Sequence, residues 1–384
     1  MRKVLIGVTG SIAIYKICDL IRDLKRDNFE VKVIFTPFSE KFVGRLTWNT
    51  LTGNRSFCDW GEDPLAHINL ARWADIFLIA PCSINTLSKL AMGIGDNLLT
   101  TTFLAYDKPA VISPVANPAM YEKNVVKEHI ERLKAYGHII VEPDYGFMVC
   151  EEEGVGKLPP VDRLKEWIYY MSRPKMLEGK KALVTCGATR EYIDRVRFIS
   201  NESSGEMGFS LARVLRWYGA EVKIIAGFTT AKEPYDIEIE RVVSAEDMYR
   251  SVHRYIEWAD LVFMNAAVSD IRPLKKEGGK LKKENIGDRI EVELNKDILE
   301  SICRNKGNTI VVGFSVETDN LIERAKSKLI RKNADFFVVN PSHVMSSNYY
   351  EGYFIDREGR VEEIRKTDKL QASEEIIMKV ISRM

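Results

Sequence analysis

Three polar side chains in the first half of the chain have the chemistry of catalytic groups and stand near predicted strand ends or loops. They are His67, one of five histidines, Asn117 and Cys150. An imidazole is suited to proton transfer near neutral pH, and a thiol can deliver a proton. Each residue also has a purely structural interpretation: His67 as a helix cap, Asn117 as part of an Ala-Asn-Pro turn, and Cys150 as a buried apolar side chain. Taken singly, the residues leave both interpretations open.

Two loops of the same half have sequences that are typical of ligand binding. Residues 7–12 (Gly-Val-Thr-Gly-Ser-Ile) predict a tight turn that leads into a helix, whose N-terminus would be a natural phosphate site. Residues 81–86 (Pro-Cys-Ser-Ile-Asn-Thr) predict a small polar loop after the apolar run 76–80, at the end of a buried parallel strand. Similar turns also join strands to helices without a ligand, so each loop is only a candidate.

The form of these loops favours a mononucleotide over a dinucleotide. No G-x-G-x-x-G motif is present, and the predicted second strand, 31–35, is followed by Thr36 and Pro37 rather than by the acidic residue that binds a ribose 2′-hydroxyl. Ser39, at the start of the next predicted helix, could instead donate a hydrogen bond to a phosphomonoester. These features point to FMN more than to NAD.

The second half contains similar turns and one basic run. Residues 185–190 predict a phosphate-binding turn after a strand, and residues 201–208 place hydroxyls and glycines before a helix, where a nucleotide could approach backbone N–H groups. A G-x-G-x-x-G motif is absent here too, so the glycine-rich turns alone leave nucleotide binding undecided. The basic run 275–283 (KKEGGKLKK) is by itself more simply explained as a solvated loop.

Alternating strands and helices predict the framework that positions these residues. In the first half the predicted strands are 4–8, 31–35, 75–80, 109–113 and 138–141, and the helices that separate them include 87–92, 97–105 and 121–136. In the second half the predicted strands are 181–185, 221–226, 237–242, 260–264, 309–313 and 335–339, and the helices are 207–218, 244–257, 296–304 and 318–332. The polar stretch 172–175 contains Pro174 and separates the halves. We therefore predict an α/β protein with two doubly wound, mostly parallel-sheet, Rossmann-like domains, 1–173 and 174–384.

Composition and charge narrow the classes of function. A chain of 384 residues with 45% hydrophobic and 29% charged residues is typical of a soluble protein with two domains. Lys and Arg total 56 and Asp and Glu total 55, so no excess charge attracts nucleic acid or a membrane surface. The six cysteines include no CxxC pair, which argues against a disulfide framework and a cysteine zinc site. No segment has the pattern of a signal peptide or a membrane span, so we expect a cytoplasmic protein.

Taken together, the motifs of the first half resemble the homo-oligomeric flavin-containing cysteine decarboxylases, and most closely phosphopantothenoylcysteine decarboxylase. Five blocks carry the resemblance: GVTGSIAIYK at 7–16, HINLARWAD at 67–75, PCSINT at 81–86 with LAMGIGDNLLTT at 90–101, a PxxNxxM block at 114–120, and GFMVCEEEGVGK at 146–157, which resembles the family's substrate clamp. The family's PxMNxxMW has Ala116 and Tyr121 in place of Met and Trp, and Lys157 replaces the usual Arg of the clamp.

The resemblance to the decarboxylases implies a cofactor and three catalytic roles. His67 would be the essential active-site base, Asn117 would hold the substrate carboxylate, and Cys150 would act on the enethiolate. In that chemistry the flavin oxidises the substrate thiol to a thioaldehyde, which accepts the electrons left when CO2 departs, and the flavin then returns a hydride. The residues that would bind FMN are Gly10, Ser11, Ile12, Ser39, Ser83, Asn85 and Thr86.

The second half resembles phosphopantothenate–cysteine ligase. The matching blocks are TCGATREYIDRVRFISNESSG at 185–205, NAAVSD at 265–270, KxKK at 280–283, VVGFSVET at 311–318 and RKNADFFVVN at 331–340. The order of the two halves is similar to that of the bifunctional coenzyme A biosynthesis proteins of prokaryotes. The resemblance implies that the carboxylate of phosphopantothenate is activated as an acyl-nucleotidyl anhydride, usually with CTP, before cysteine displaces the nucleotide.

The same resemblance implies roles for polar residues of the second half. Asn201 would handle the acyl intermediate, and Lys280, in a loop with Lys282 and Lys283, would neutralise the phosphates. Lys328 and Lys332 are four residues apart on a predicted helix and therefore share a face that suits a triphosphate. The remaining positions that match the nucleotide pocket are Ala266, Asp270, Lys296, Asp297, Ile298, Leu299 and Phe314. Glu206 stands where the family often has Lys or Arg, and an acidic residue there would weaken a phosphate site.

Together the two resemblances predict a bifunctional enzyme that converts 4′-phosphopantothenate, cysteine and CTP to 4′-phosphopantetheine, with FMN as cofactor and Mg2+ beside the nucleotide. They also imply a homo-oligomer, because the decarboxylases form their flavin site between the subunits of a trimer and the ligases dimerise; a dodecamer would satisfy both symmetries. Two alternatives are a peptidyl-cysteine decarboxylase, which would have no use for the ligase half, and a phosphatase-regulating flavoprotein, which tends to carry an acidic tail.

Overall fold

The computed structural model describes residues 2–149, 151–276, 278–281, 289–345, 347 and 349–384. The chain forms two compact units, Met1–Arg173 and Pro174–Met384. In each unit strands alternate with helices, and the main sheet is wholly or mostly parallel. The predicted fold class, α/β with two doubly wound and mostly parallel sheets, is confirmed.

The first unit is built on a five-stranded parallel sheet with the order β2-β1-β3-β4-β5. Its strands are β1 (Lys3–Val8), β2 (Glu30–Phe35), β3 (Ile76–Ser83), β4 (Val111–Val115) and β5 (Ile139–Ile140), and β6 (Asp144–Phe147) and β7 (Glu153–Lys157) form a separate hairpin. Its helices are α1 (Ile17–Arg26), α2 (Arg45–Thr52), α3 (Ala66–Trp73), α4 (Ile84–Met92), α5 (Leu98–Ala105), α6 (Pro118–Tyr121), α7 (Asn124–Ala135) and α8 (Val161–Ser172). Two 3-10 helices, Ile12–Lys16 and Pro37–Lys41, follow β1 and β2.

The side-chain pattern of β1 explains why helices cover both faces of this sheet. Val4, Ile6 and Val8 alternate with Leu5, and all four side chains are fully buried. The first three belong to a core formed with α1 and α8, whereas Leu5 belongs to a second core formed with α3, α4, α5 and α7. A strand that is apolar on both faces requires a helical layer on each side, and this is the doubly wound arrangement.

The second unit is built on an eight-stranded sheet with the order β12-β11-β8-β13-β16-β17-β18-β19. Its strands, with two small hairpins β9–β10 and β14–β15, are β8 (Lys181–Cys186), β9 (Arg190–Tyr192), β10 (Phe198–Ser200), β11 (Glu221–Ala226), β12 (Glu238–Arg241), β13 (Leu261–Met264), β14 (Ile271–Pro273), β15 (Val292–Leu294), β16 (Ile310–Glu317), β17 (Phe336–Pro341), β18 (Tyr349–Asp356) and β19 (Val361–Asp368). Its helices are α9 (Glu206–Trp217), α10 (Ala245–Tyr255), α11 (Ile298–Cys303), α12 (Leu321–Lys332) and α13 (Lys369–Ile381), and a 3-10 helix spans Ser342–Val344. The first six strands of the sheet are parallel and the last two are antiparallel.

Several elements differ from the sequence-based predictions. β3 does not end at Ala80: after an irregularity its pairing with β4 resumes at Cys82 and continues to Ser83. The helix predicted at 121–136 is divided into α6 and α7, because Lys123 has an extended backbone. The hairpin β6–β7, the small hairpins of the second unit, and β18, β19 and α13 are absent from the predictions. In the described part of the chain, no helix combines the length and the apolar character that crossing a membrane requires.

Candidate functional site

A cavity of about 1130 Å3 lies at the carboxyl ends of the strands in the first unit. The turns after β1, β2, β3 and β4 line it, together with the hairpin β6–β7. In a sheet of the order 2-1-3-4-5, the direction of winding reverses between β1 and β3, and ligands of open α/β sheets bind at this point. Ordinary small-molecule sites have volumes of about 300–1,000 Å3, so this cavity has room for a cofactor and a substrate together.

The turn after β1 supplies Gly10, Ser11 and Ile12, three of the predicted FMN-binding residues, to the cavity lining. Ser11 caps the 3-10 helix Ile12–Lys16, and its hydroxyl accepts a hydrogen bond from the Ala13 backbone N–H at 3.3 Å. A Cβ at position 10 would lie 2.6 Å from a ring carbon of Phe38, so the observed position of the Phe38 ring depends on Gly10. The absence of a side chain therefore lets Phe38, which also lines the cavity, lie close over the turn.

The end of β3 and the start of α4 supply Ser83, Asn85 and Thr86, three more of the predicted FMN-binding residues. Ser83 caps α4, and its hydroxyl accepts from the Thr86 backbone N–H at 3.4 Å. The buried hydroxyl of Thr9 fixes this turn to β1: it donates to the Pro81 carbonyl and accepts from the Ser83 backbone N–H, both at 2.8 Å. The two loops that the sequence singled out separately thus form one wall, which presents hydroxyl and amide groups.

The turn after β4 supplies Asn117, which also lines the cavity. Its carboxamide oxygen caps α6 by accepting from the Ala119 backbone N–H at 2.9 Å. The carboxamide nitrogen donates to a carboxylate oxygen of Glu152 at 2.6 Å. The cap fixes the orientation of the amide, so Asn117 presents a hydrogen-bond donor to a carboxylate.

The hairpin β6–β7 closes one side of the cavity and is attached to the β4 turn. The Ala116 backbone N–H donates to the Gly156 carbonyl at 3.1 Å. A Cβ at Gly156, whose φ is 153°, would lie 2.1 Å from the Ala116 carbonyl oxygen, so only glycine permits this contact. Lys157, which replaces the usual Arg, lines the cavity with its cationic side chain. Cys150 lies outside the described residues.

Two predicted residues of the first unit are placed elsewhere. Among the described residues, His67 is absent from the cavity lining; it lies half-buried on α3. Its Nδ1 accepts a hydrogen bond from the Trp60 indole N–H at 3.2 Å, which puts the proton of the neutral imidazole on Nε2. Ser39 is fully buried, and its hydroxyl donates to the Thr36 carbonyl at 2.6 Å. The proposed phosphate donor is therefore engaged in its own 3-10 turn and does not line the cavity.

The two departures in the PxMNxxMW block affect the cavity differently. Ala116 lines it, so the missing Met side chain widens the site next to Asn117. Tyr121 instead lies in the core on the outer side of α6, and its hydroxyl donates to Glu142. Burial and this carboxylate raise the pKa of Tyr121, so it stays a neutral donor. The Trp-to-Tyr change therefore leaves the wall of the cavity unaltered.

In the second unit, predicted residues meet at the carboxyl ends of β8 and β13. The Ala266 backbone N–H donates to the Thr185 hydroxyl at 3.2 Å. The Asn201 carboxamide donates to the Val268 carbonyl at 3.0 Å, and the Asp270 carbonyl accepts from the Asn295 N–H at 2.8 Å. These contacts join the loop at 201, the turn after β13 and the segment before α11 at one end of the sheet, where an open α/β fold binds its ligand.

Three of the predicted nucleotide-binding lysines are paired with carboxylates. Lys332 pairs with Asp297 at 2.8 Å, Lys328 with Glu317 at 2.5 Å, and Lys296 with Glu246 at 3.2 Å. Asp297 also caps α11 by accepting from the Glu300 backbone N–H at 3.0 Å. Burial acts to raise the pKa of Asp297, but this N–H and Lys332 outweigh it and lower the pKa. Any anion that binds these lysines must therefore compete with acidic side chains.

Other predicted positions of this site are distributed between core and surface. Ile298 and Leu299 are buried in the core below the sheet end, so only their backbone could face a ligand, and Phe314 is half-buried in β16. Lys280 is exposed in the segment 278–281. The next residue, Leu281, anchors that segment because its N–H donates to the Asp194 carboxylate at 3.1 Å. Lys282 and Lys283 lie outside the described residues.

Glu206, the departure from the ligase pattern, begins α9, and its N–H donates to the Ser204 hydroxyl at 3.3 Å. Burial lowers the pKa of Lys369 at the start of α13, and the negative charge of Glu206 acts in the opposite direction. The acidic residue is therefore close to a cation from another helix.

Within the ranges that the structure describes, no group of three or more His, Cys, Asp or Glu side chains is arranged to hold a metal ion.

Some residues that line the cavity or contact its lining were not predicted from the sequence. Glu152 contacts Asn117 but looks like one of three consecutive surface acids in the sequence, Glu151 to Glu153. Phe38 and the Lys89–Asp96 ion pair line the cavity itself. Gly10 is the one available signal for Phe38, since a glycine that follows a strand allows close approach of another group. No local pattern indicates the pairing of Glu152 with Asn117, because the two lie 35 positions apart.

Comparisons with known proteins agree with this two-part architecture. Residues 1–171 match the family model described as Flavoprotein, and residues 177–384 match the model of the DNA/pantothenate metabolism flavoprotein C-terminal domain. The coenzyme A biosynthesis bifunctional protein CoaBC of Borreliella burgdorferi is 35% identical over 98% of both chains, and that of Bacillus subtilis is 35% identical over 99% of this chain and 96% of the relative. The crystal structure of the C-terminal domain of a CoaBC protein is 33% identical and covers 54% of this chain and 97% of its own, with a TM-score of 0.48.

Proposed function

The chain belongs to the family of bifunctional coenzyme A biosynthesis proteins, and we propose that it makes 4′-phosphopantetheine in two steps. The second unit would ligate 4′-phosphopantothenate to cysteine with CTP, through an acyl-nucleotidyl intermediate. The first unit would decarboxylate the resulting phosphopantothenoylcysteine with FMN. The observation that carries the proposal is the match with the CoaBC protein of Borreliella burgdorferi. This match covers 98% of this chain and 98% of the relative, so each unit has a counterpart in it.

The first cavity fits FMN in its position and in its donor groups. It lies at the β1/β3 switch point, where flavodoxin-like sheets hold FMN. Hydroxyls and amides of Ser11, Ser83, Asn85 and Thr86 would hydrogen-bond the phosphate and the polar edge of the ring. The close approach of Phe38 over Gly10 provides an apolar surface beside them. FMN bound there would supply the oxidation of the substrate thiol and the returning hydride.

The described side chains suit the remaining tasks of the decarboxylase. The amide of Asn117 would bind the substrate carboxylate and keep it in a fixed direction until CO2 leaves. The cation of Lys157 would neutralise the substrate phosphate. His67 would hold and transfer a proton, and the Trp60 indole fixes which ring nitrogen is available. Cys150 would deliver the final proton.

A homo-oligomer follows from the position of His67 in this proposal. Because His67 is absent from the described lining of its own chain's cavity, a second copy of the chain would have to bring it there. The site is then incomplete in a single chain. We propose an assembly in which first units share flavin sites, with the trimer and dimer contacts of the family as the symmetry expected.

The second unit would bind the nucleotide at the ends of β8 and β13. Asn201 lies beside the turn after β13 and would contact the acyl intermediate. Lys280 would approach the phosphates from its anchored loop, and Lys328 and Lys332 would exchange their carboxylates for triphosphate oxygens. Mg2+ would be held largely by the phosphates of the nucleotide, since this ion keeps few protein ligands in such sites. Cytoplasmic location remains part of the proposal.

The flavin half of the proposal is tested by absorbance and by mixed oligomers. Purified protein should show flavin absorbance or gain it with FMN; protein that stays colourless would refute the assignment. His67→Asn and Asn117→Asp should each abolish CO2 release while retaining flavin. When the two variants are co-expressed in equal amounts, sites shared between copies should regain about a quarter of the wild-type activity, as random pairing across a heterologous interface requires. Mixed oligomers without activity would place both residues in one chain's site.

A further inference from the structure

The carboxamide that the proposed decarboxylase offers to its substrate already binds a carboxylate of the protein. Asn117 donates from its amide nitrogen to a carboxylate oxygen of Glu152 at 2.6 Å, a short bond of the charge-assisted kind. The amide oxygen of Asn117 caps α6, so the side chain cannot turn away without losing that cap. Glu152 therefore holds a negative charge at the amide group that the substrate carboxylate needs.

The backbone of the hairpin holds Glu152 in this position. The Glu152 carbonyl accepts from the Met148 N–H at 2.9 Å, and Glu151 takes a left-handed conformation with a φ of 61°. Two residues later, the backbone of Gly154 is paired with Gly146 across the hairpin. The hairpin is in turn attached to the β4 turn that carries Asn117. Both partners of the hydrogen bond are thus fixed by neighbouring backbone contacts.

We propose that Glu152 is a specificity-determining residue that makes the decarboxylase site sense the presence of the substrate carboxylate. This inference rests on the proposed decarboxylase function. The amide nitrogen has two N–H donors, but a second carboxylate beside Glu152 would bring two negative charges together, so the substrate must displace Glu152 when it binds. The product has lost its carboxylate as CO2, and Glu152 can return to Asn117 while the product is still present. The internal acid therefore opposes binding of the substrate and leaves binding of the product unaffected.

The substrate and the product differ only in the carboxylate, so Glu152 should affect the affinity for the substrate but not the affinity for the product. In the wild type, part of the affinity for the substrate is spent on displacing Glu152, whereas the product binds without this cost. Removal of the Glu152 carboxylate should therefore lower the Michaelis constant for the carboxylated substrate about fivefold, which is the order of one charge-assisted hydrogen bond partly exposed to water. The inhibition constant of the decarboxylated product should change by less than about twofold.

Steady-state CO2 release by the full-length, flavin-loaded protein tests this inference. Glu152→Ala and Glu152→Gln are compared with the wild type, and Glu153→Gln is the matched control, because Glu153 is the next acid along the hairpin, whereas the hydrogen bond to Asn117 is made by Glu152. A lower Michaelis constant in both Glu152 variants, with an unchanged product inhibition constant and an unchanged control, supports the inference.

Three results would overturn it. An unchanged or higher Michaelis constant in Glu152→Ala would mean that Glu152 does not compete with the substrate. A parallel change in the product inhibition constant would mean that Glu152 shapes the site as a whole. The same change in Glu153→Gln would mean that only the net charge of the hairpin matters. If the wild type released no CO2 with FMN bound, the proposed decarboxylase would fail first and this inference would fall with it.

Discussion

Replacing Thr9 by Val should loosen the flavin cavity at the point where β1 and β3 are joined. Thr9 is fully buried, and its hydroxyl bridges the Pro81 carbonyl and the Ser83 N–H with two hydrogen bonds of 2.8 Å. Valine has a similar shape but no hydroxyl. The Pro81 carbonyl keeps the hydrogen bond from the Thr9 backbone N–H at 3.2 Å, whereas the Ser83 N–H loses its acceptor.

The cost can be estimated from these contacts. One buried donor left unsatisfied costs about 1–3 kcal/mol, so the free energy of unfolding of the first unit should fall by about 2 kcal/mol. For a unit of this size, 1 kcal/mol corresponds to a shift of about 2–4 °C, which gives a loss of about 4–8 °C in Tm. Because Ser83 is a predicted FMN ligand, the affinity for FMN should also fall by about tenfold or more, the equivalent of about 1.4 kcal/mol.

Thermal unfolding of the full chain, followed by flavin fluorescence and by circular dichroism, measures both effects. Thr9→Ser is the control: it keeps the hydroxyl and loses only a methyl group, so it should lose about 1 kcal/mol through packing and retain its flavin affinity. A Val variant with the wild-type Tm and wild-type FMN affinity would refute the role assigned to the hydroxyl. A Ser variant that loses as much flavin affinity as the Val variant would assign the effect to packing instead.

Three further predictions concern the hairpin and the second unit. Gly156→Ala should displace the hairpin, because the new Cβ would lie 2.1 Å from the Ala116 carbonyl oxygen, and should reduce CO2 release by at least about tenfold while ligation is unchanged; equal turnover would show that the contact is dispensable. Lys280→Gln should slow ligation by about 100-fold or more and allow the acyl-nucleotide to accumulate, detected by mass, since one transition-state cation is removed; a normal rate would make the loop a solvated one. Burial acts to raise the pKa of Glu317, but the pairing with Lys328 outweighs burial and lowers the pKa in the folded state. The Glu317 carboxylate therefore stabilises the second unit at any pH above its unfolded-state pKa. This contribution is lost as the pH falls through the folded-state pKa. Glu317→Gln should therefore flatten the fall in Tm below about pH 4.3, the unperturbed value of a glutamate, and an unchanged slope in a pH series would contradict this.

Local periodicity predicted the framework of both units. The apolar run of β1 and the stripe Ile17, Leu20, Ile21 and Leu24 of α1 are buried as their spacing requires. Elements that are stabilised mainly by residues far away in the sequence were not predicted. The hairpin β6–β7 contains Gly and Glu where a strand pattern would have alternating apolar residues, and its position depends on Gly156 meeting Ala116, forty residues earlier.

The candidate site shows the same division. Gly10, Ser83 and Asn117 stand at the carboxyl ends of strands or within two residues of them. Parallel strands bring these ends to one edge, so the meeting of the three residues in a cavity follows from the fold class. The role of Ser39 stays a prediction: a serine early in a 3-10 turn can bond its own backbone, and the sequence does not show which partner it takes. The position of His67 depends on where α3 packs, and no local pattern fixes that.

The ion pairs of the second unit were likewise not predicted from the sequence. The spacing of Lys328 and Lys332 predicted a shared helix face, and both lie on α12. Their partners, Glu317 and Asp297, come from β16 and from the start of α11, so the pairs exist only after the sheet has formed. Charge pattern along the chain therefore indicated where cations are available, and tertiary packing decided which acids hold them.

The most direct test of the central claim is to identify the product that the purified protein makes. The protein is incubated with 4′-phosphopantothenate, cysteine, Mg2+ and either CTP or ATP, and the products are identified by mass. The proposed function predicts 4′-phosphopantetheine, CO2, CMP and pyrophosphate with CTP, and no comparable turnover with ATP. Formation of the same product with ATP in preference to CTP would contradict the choice of nucleotide. Formation of neither phosphopantothenoylcysteine nor 4′-phosphopantetheine with either nucleotide would contradict the account as a whole.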